Sequence, residues 1–506
     1  MATPAHPYYA SGQLYPRAGA EARPKRDLPR LLLGGIALML TSAPLARVYF
    51  GSMPLNFIDV LMIGIFGLIW AGIVRPTSLK KSSPLTWLLL VYYLFMLGAS
   101  VREMTEYGVA PEPLYMLIRF SLGLSIALLV PYVVQTRRDL DMVLKMTLIG
   151  IAFSSIFAIL YALPQFGAVR VYLNQGNILF PGRARADLAQ LAMAEADRAM
   201  SPIGGPNVTA CWFALWFPLA LMVWRTKIWG NKWASYAMIV TFLTLGGALV
   251  TYGRSTLIAL ALISLSVIVF KLFRARLTML GILIGTVVFM LTIGLASSAF
   301  DFDLVFMKFE RMLNDPTQAH TDRARIASYS TLIPFLEENP LWLVTGLGLM
   351  GSRGVRLGVI ERSEVILKLD SGEVHSMFAA SFYHYGLFAM FAFTALALYC
   401  GSRCFMMMQN SKRSPYQLYW QYLFAVWVGV IPYWLFTHMY VTAEQGVYLF
   451  FFLVGLVMTV GKLDPTFRAK RIMRKRYIYP HAYPPTGTPP TRMGGSRSGG
   501  AFPRAE

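Results

Sequence analysis

Three arginines and one histidine lie beside apolar segments and have side chains suited to phosphate binding and proton transfer. Arg254 lies in VTYGRSTLIAL, between two apolar runs, and Arg323 and Arg325 lie in TDRARIASYS. His375 stands just before another long apolar run. A guanidinium group binds phosphate oxygens through paired hydrogen bonds and stays charged, and an imidazole accepts or donates a proton near neutral pH. Together these groups could hold a pyrophosphate and activate a hydroxyl.

Two further charged residues, Asp59 and Arg119, lie inside predicted membrane helices. An ionisable group within the bilayer is costly, so each is a candidate for a functional role. The two could also pair with each other, and both interpretations remain open. For Arg254, the alternative to phosphate binding is that it anchors its helix at the membrane interface.

A glycine-rich segment and a second histidine have simpler explanations. Gly346, Gly348 and Gly351 match the spacing of a dinucleotide-binding loop, but no strand and helix flank them, so we reject that function. We predict instead that these glycines allow a close backbone approach beside the site. His384 follows His375 by nine residues and is predicted to pack between helices.

The composition indicates a membrane protein. Apolar residues make up 56% of the 506 residues, and the net charge is +21. The basic residues are divided among short loops rather than gathered in one face, which argues against nucleic-acid binding. The three cysteines, Cys211, Cys400 and Cys404, fit neither a disulfide framework nor a metal site.

Long apolar runs predict an all-α, polytopic bundle of about 12 transmembrane helices, since a span needs roughly 20 apolar residues and a helix satisfies its own backbone in lipid. The predicted spans are 31–50, 55–74, 84–101, 114–134, 143–163, 206–224, 233–250, 254–273, 277–297, 376–399, 418–437 and 443–461.

Alternate loops are rich in Lys and Arg, which places them and both termini in the cytoplasm. The charged candidates then lie on the opposite face of the membrane. The predicted organisation is a disordered cytoplasmic tail (1–30), nine transmembrane helices (31–297), a large, partly helical periplasmic loop (298–375), three more helices (376–461) and a cytoplasmic tail that is first basic and then Pro/Gly-rich (462–506).

Four segments resemble, in order, motifs of the O-antigen ligase family, which also includes O-antigen and exopolysaccharide polymerases. They are GGPNVTACWFALWFPLAL, with Asn207; LVTYGRSTLIALAL, with Arg254; DRARIASYSTLIPFLEENPLWLVTGLG, with Arg325; and His375-Ser376 followed after nine residues by Gly386. The resemblance covers about 200–400. The chain has Gly253 where the family usually has Ser. It has Ala389 where a second glycine is usual, and this second difference favours a polymerase over a strict ligase.

The resemblance implies transfer of an oligosaccharide from an undecaprenyl-pyrophosphate carrier at the periplasmic face of a bacterial inner membrane. Arg254 and Arg325, with Arg323 as the second choice in the loop, would bind the donor pyrophosphate. His375 would be the catalytic residue that orients or deprotonates the acceptor hydroxyl. Asn207, Arg119 and Asp59 would support the substrate site, and the reaction would need no metal or cofactor.

The acceptor distinguishes the activities that the resemblance allows. A polymerase extends another carrier-linked glycan, a ligase uses lipid A-core, and a third possibility is a protein acceptor. From a different class, the alternative is a flippase for lipid-linked glycans or a secondary transporter. The chain shows no convincing inverted repeat, and its charged candidates gather at one face rather than at the midplane, which favours glycan transfer.

Overall fold

The computed structural model describes most of the predicted membrane segments. The described residues are 27–44, 47–50, 53–72, 84–108, 111–162, 199, 201–204, 206–251, 253–284, 340–348, 376–412, 414–436 and 444–466. Arg323, Arg325 and His375 lie outside them, and of Arg254 only the backbone is described. Residues 1–463 form one compact unit, and of the second unit, 464–506, the structure describes 464–466.

The apolar runs form helices, because a helix pairs its backbone groups within a single segment. The helices with both ends described are α1 (Asp27–Ser42), α2 (Phe57–Trp70), α3 (Pro84–Tyr107), α4 (Pro111–Val133), α5 (Arg137–Ala162), α6 (Pro206–Thr226), α7 (Asn231–Val250), α8 (Arg254–Val269), α9 (Pro340–Thr345), α10 (Met377–Asn410), α11 (Gln417–Phe436) and α12 (Glu444–Leu463). Residues 276–284 are also helical.

The predicted helical class is confirmed over the described residues, and the helices indicate a membrane protein. Six of them contain segments long and apolar enough to cross a bilayer, and four more are apolar but shorter. The long segments are Pro84–Glu106, Arg137–Ala162, Asn207–Thr226, Asn231–Val250, Met377–Asn410 and Gly446–Leu463. The shorter ones are Leu28–Ser42, Phe57–Trp70, Leu117–Val133 and Ser255–Val269.

The first predicted span was wrong in its second half. Helix α1 ends at Ser42, and Arg47–Phe50 (β1) pairs with Met53–Asn56 (β2) in an antiparallel hairpin. The sequence RVYF is apolar enough to extend a hydropathy window, but its valine and aromatic residues also favour a strand. Hydropathy alone does not separate these two conformations.

Several other predicted spans differ from the helices observed, among them those of α8 and α10. Helix α8 ends at Val269, before the predicted end at 273, and a short 3-10 helix, Leu272–Arg274, follows it. There Phe273 has a positive φ of 53°, and its N–H donates to Gln421 Oε1 over 2.9 Å. Helix α10 extends beyond the predicted span 376–399 and is broken at Gly386, where φ is 83° and ψ is 178°.

Small residues allow the closest packing between helices. Helix α1 packs against α5, where Ser154 Oγ donates to the Thr41 carbonyl oxygen over 2.7 Å and Thr41 Oγ1 donates to the Thr147 carbonyl over 3.2 Å. A Cβ added at Gly150 would fall within 2.6 Å of the Leu38 carbonyl oxygen. Such contacts hold helices together where lipid gives no hydrophobic drive for association. Other closely packed pairs are α3 with α10, α4 with α12, α6 with α7 and α8 with α11.

Polar contacts of basic residues bring several helix ends together at one end of the bundle, which we call the basic end. Arg30 Nε lies 2.9 Å from Asp139 Oδ1, which joins the starts of α1 and α5. Arg137 Nε donates to Tyr419 Oη over 3.3 Å, which adds the start of α11. Lys462 Nζ, near the end of α12, donates to the Pro131 carbonyl oxygen over 2.7 Å near the end of α4.

Candidate functional site

Two consecutive residues near the end of α11 connect the starts of two other helices. Tyr433 Oη donates a hydrogen bond to Thr256 Oγ1 over 2.9 Å in the first turn of α8. Ser376, the residue before α10, directs its Oγ to the Trp434 carbonyl oxygen at 3.5 Å. The Tyr433, Thr256 and Ser376 side chains are buried. Helices α8 and α10 therefore begin beside the same end of α11.

The start of α6 joins this region through Gly253, the residue before α8. A Cβ at Gly253 would lie 2.7 Å from Thr256 Oγ1 and 3.2 Å from the Ala210 Cβ, so a side chain has little room here. Ala210 belongs to the first turns of α6, one turn after the exposed Asn207. Gly253 thus allows α6 and α8 to approach each other.

The candidates at the starts of α8 and α10 are adjacent in sequence to residues with described contacts. Arg254 is the first residue of α8 and follows Gly253 directly. His375 precedes Ser376, the N-cap of α10, and lies outside the described residues. Thr256 and Ser376, which lie close in sequence to the two candidates, both contact the last turn of α11.

Residues 346–348, which belong to the predicted large loop, pack against the break in α10. The Leu347 N–H donates to the Tyr383 carbonyl oxygen over 2.8 Å, and the Gly348 N–H donates to the His384 carbonyl oxygen over 2.9 Å. Gly386 interrupts the helix just beyond these two carbonyls. The loop residues thus supply backbone donors at the break, since helix ends leave carbonyl groups to be satisfied.

Glycine is required at this contact, as predicted for Gly346 and Gly348. Their φ angles are +67° and +94°, which residues with a side chain rarely adopt. A Cβ at Gly386 would fall within 2.8 Å of the Thr345 nitrogen, and one at Gly348 would fall within 2.7 Å of the Glu103 side chain. The close backbone approach predicted for Gly346 and Gly348 is confirmed at the break in α10, and Gly351 lies outside the described residues.

Two side chains beside this contact also have defined positions. His384 Nδ1 lies 2.9 Å from the Gly348 carbonyl oxygen, and the histidine is half-buried. This contact is with a residue that follows α9, whereas the sequence predicts that His384 packs between helices. Glu103, in the last turns of α3, is fully buried against Gly348. Glu103 was not predicted because it lies two residues beyond the predicted end of its span, at 101.

Asp59 and Arg119 pair with each other, which is one of the two interpretations that the sequence left open. Arg119 Nε lies 3.9 Å from Asp59 Oδ2, and both side chains are buried. Asn56, the last residue of β2, donates its backbone N–H to Asp59 Oδ2 over 3.2 Å and accepts from Arg119 Nη2 over 3.3 Å. Tyr448 Oη donates to the other carboxylate oxygen of Asp59. This cluster joins the hairpin, α2, α4 and α12.

The described contacts therefore support two groups of candidates. The starts of α6, α8 and α10, with the positions of Asn207 and Arg254, lie around the end of α11. Asp59 and Arg119 form a separate polar cluster. Arg323, Arg325 and His375 lie outside the described residues, so their predicted roles remain predictions. Within the described part of the chain, no group of three or more His, Cys, Asp or Glu side chains could hold a metal ion.

Tyr433 was missed as a positioning residue because an aromatic residue at the end of an apolar run carries no distinguishing signal in a chain with 26 Tyr. Trp434 was missed because its contact with Ser376 is made by a backbone carbonyl, which every residue has.

No protein-family model matches the chain, and no curated protein matches its sequence.

Proposed function

We propose that this protein is a twelve-helix membrane glycosyltransferase of the bacterial inner membrane, similar to the O-antigen ligase family. It transfers or polymerises oligosaccharide carried on undecaprenyl pyrophosphate, at the periplasmic face and without a metal. The apolar helices support the membrane assignment, and the four sequence motifs that resemble the family support the activity.

The observation that carries the proposal is the connection of two motif positions through α11. Tyr433 contacts the first turn of α8, which begins with Arg254, and Trp434 contacts Ser376, which follows His375. The resemblance assigns pyrophosphate binding to Arg254 and catalysis to His375. Arg254 and His375 belong to separate motifs and lie more than a hundred positions apart. The residues close to each of them in sequence contact Tyr433 and Trp434, which are neighbours in α11.

The proposed reaction is a direct displacement at the anomeric carbon. The acceptor hydroxyl oxygen bonds to this carbon, and the bond from the carbon to the pyrophosphate oxygen breaks with its electron pair remaining on that oxygen. Arg254 and Arg325, or Arg323 in place of the latter, stabilise the charge on the leaving group. His375 orients the acceptor hydroxyl or accepts its proton. Displacement in one step inverts the anomeric configuration.

Polymerisation is the favoured form of this activity, and ligation to lipid A-core is the close second. The chain departs from the ligase motif at Ala389, a buried residue of α10 three positions after the break at Gly386. Both activities use the same donor and the same leaving group, so the proposed site serves either one. They differ in the acceptor that the site admits.

Lipid-linked glycan translocation or secondary transport is the alternative, and the observation that favours it is the buried Asp59–Arg119 pair. Charged pairs inside membrane helices occur on transport pathways. Here Asn56 and Tyr448 also bind the Asp59 carboxylate, which gives the pair a structural role in joining four elements. The glycan-transfer proposal accounts for the motif positions, whereas the transport proposal does not.

The experiment that tests the proposal uses purified protein in proteoliposomes with carrier-linked repeat units. Donor alone should yield a ladder of longer glycans on a gel if the protein polymerises. A product that appears only after lipid A-core is added would identify a ligase. Movement of the donor across the bilayer without any new glycosidic bond would contradict glycan transfer and support the flippase.

The matched variant for this assay is His375→Ala. We expect elongation to fall by about 100-fold or more, the usual contribution of a general base. The variant should reach the membrane at the wild-type level and accumulate unextended donor. Elongation at the wild-type rate would remove His375 from the mechanism even if the protein proved to be a transferase.

A further inference from the structure

Lys145, in the third turn of α5, lies beside two tryptophans near the basic end of the bundle. Its Nζ is 5.5 Å from the centroid of the Trp229 ring and 5.0 Å from that of the Trp233 ring. Trp229 belongs to the turn between α6 and α7, and Trp233 to the first turn of α7. A helical side chain leans toward the start of its own helix, so the half-buried ammonium group of Lys145 is directed toward the basic end.

The carboxylate one turn before Lys145, that of Asp141, is bound by other groups. Its Oδ1 accepts hydrogen bonds from Trp229 Nε1 over 2.9 Å and from Tyr419 Oη. Its Oδ2 lies 3.9 Å from Arg137 Nε. Within the described residues, Lys145 forms neither an ion pair nor a hydrogen bond. An ammonium group has three N–H donors, and contact with two aromatic rings leaves these donors without an oxygen acceptor.

The surroundings of Lys145 carry an excess of positive charge. Lys227 precedes Trp229 in the turn, Lys232 lies in the first turn of α7, and both are exposed. Arg138 is also exposed and lies two turns before Lys145 on the same face of α5. The other acid in this part of α5, Asp139, is buried and already forms an ion pair. This region therefore attracts a negatively charged ligand.

Beyond Lys145, the same face of α5 is apolar and exposed. Ile149, Phe153 and Ile156 follow at helical spacing, and they are 38%, 41% and 44% exposed. Exposed apolar side chains on a membrane helix contact lipid acyl chains, and tryptophans are typical of the boundary between acyl chains and headgroups. A cation beside tryptophans at the end of an apolar strip matches a phospholipid, which joins a phosphate to acyl chains, better than it matches a free anion.

We propose that Lys145, Trp229 and Trp233 form a binding site for an anionic phospholipid, whose headgroup phosphate accepts hydrogen bonds from the Lys145 ammonium group. The two indole rings hold this ammonium group in place, and an acyl chain lies along the exposed face of α5. Basic pockets between membrane helices bind anionic headgroups in this way. The proposal requires only that these helices lie in a membrane, and it is independent of the glycan-transfer activity.

The test titrates the purified full-length protein in detergent with dioleoyl phosphatidylglycerol, which is anionic. A ligand that binds only the folded protein raises the Tm, and the concentration dependence of the rise gives an apparent Kd. We expect a larger rise from phosphatidylglycerol than from zwitterionic phosphatidylcholine with the same acyl chains. Lys145→Met should weaken the binding of phosphatidylglycerol about 10-fold, the effect of one lost hydrogen bond to a charged group.

Lys412→Met is the matched control, because Lys412 is an exposed lysine just after the end of α10. The substitution removes the same charge, and we expect it to weaken binding by about 2-fold at most, since water and salt screen an exposed charge. Equal losses in the two variants would show a general attraction between lipid and basic surface, and would overturn the site. Equal shifts from the two phospholipids would also overturn it.

Two further measurements identify the ligand and guard against misfolding. Glycerol phosphate, the soluble headgroup analogue, should leave the Tm unchanged at the same concentrations, and a shift equal to that from phosphatidylglycerol would contradict a lipid site. If Lys145→Met does not purify as a folded protein, Lys145→Gln replaces it, because glutamine keeps a polar side chain without the charge. Wild-type affinity for phosphatidylglycerol in that variant would overturn the proposal.

Discussion

At the scale of single residues, Arg254 combines a fixed place in the fold with a side chain suited to a pyrophosphate. It is the first residue of α8, and Gly253 and Thr256 hold this turn close to α6 and α11. Guanidinium groups bind phosphate oxygens through two parallel bonds, which an ammonium group cannot reproduce. Charge alone therefore does not account for the role that we assign to Arg254.

We expect Arg254→Lys to lower elongation by about 100-fold, the usual effect of removing one donor that stabilises a leaving group. The fold and yield should be unchanged, because the substitution keeps the charge at the start of the helix. Elongation by the purified variant, measured beside its Tm, checks this. A rate close to that of the wild type would make Arg254 an interfacial anchor.

The Asp59–Arg119 pair lends itself to a test by double substitution. Removal of one partner from a buried ion pair leaves an uncompensated charge and costs about 3–5 kcal/mol, whereas replacement of both by apolar residues is often nearly neutral. We expect Arg119→Met to lower the free energy of unfolding by that amount and Arg119→Met with Asp59→Leu to recover most of it. Thermal unfolding of the three proteins in detergent measures this.

The double variant also separates structure from function at this pair. If the pair is structural, the double variant should elongate glycans at close to the wild-type rate once it is folded. A stable double variant without activity would instead assign the pair to the substrate site or, if donor translocation is also lost, to a transport pathway.

At the scale of elements, the break in α10 depends on residues from elsewhere in the chain. Gly386 has φ near +83°, and a Cβ there would collide with the backbone of residues 344–345. The same helix contains Gly401, which has no neighbour within 4 Å of an added Cβ. Substitution of Gly401 is therefore a matched control, within the same helix, for substitution of Gly386.

We expect Gly386→Ala to destabilise the protein by about 1–3 kcal/mol, the cost of a strained backbone. It should also abolish elongation, because the start of α10 loses its attachment to residues 346–348. Gly401→Ala should be neutral or slightly stabilising, since alanine favours a helix over glycine. Unfolding midpoints and elongation rates of the two variants provide the comparison. Equal effects would show that the break does not depend on Gly386.

Elements differ in how far the sequence could predict them. Helix α7 was predicted at 233–250 and is found at Asn231–Val250, because its apolar run is a local property. The break at Gly386 was not predicted, since the apolar run continues through it and its cause is a backbone contact about forty residues away. The pairing of Asp59 with Arg119 was predicted as one of two alternatives, because burying either charge alone is costly.

At the scale of the whole molecule, the described contacts give the bundle two unlike ends. At the basic end, contacts of Arg30, Arg137 and Lys462 join the starts of α1, α5 and α11 and the ends of α4 and α12. The opposite ends of those helices include Tyr433 and Trp434 of α11 and Tyr448 of α12, which contact the candidate site and the Asp59 cluster. Basic residues favour the cytoplasmic side, so the candidate site is expected on the periplasmic side.

This expectation can be tested by labelling introduced cysteines with a maleimide that does not cross membranes. Cys211, Cys400 and Cys404 are buried and would be replaced by Ala first. Thr105, in the last turn of α3 near Glu103, and Lys412, just after α10 at its other end, are both exposed. We expect Thr105→Cys to be labelled in intact cells and Lys412→Cys only after permeabilisation, because the ends of α3 and α10 lie on opposite sides of the bundle. If Lys412→Cys reacted in intact cells and Thr105→Cys did not, the candidate site would face the cytoplasm, and transfer from a carrier exposed in the outer leaflet would be impossible.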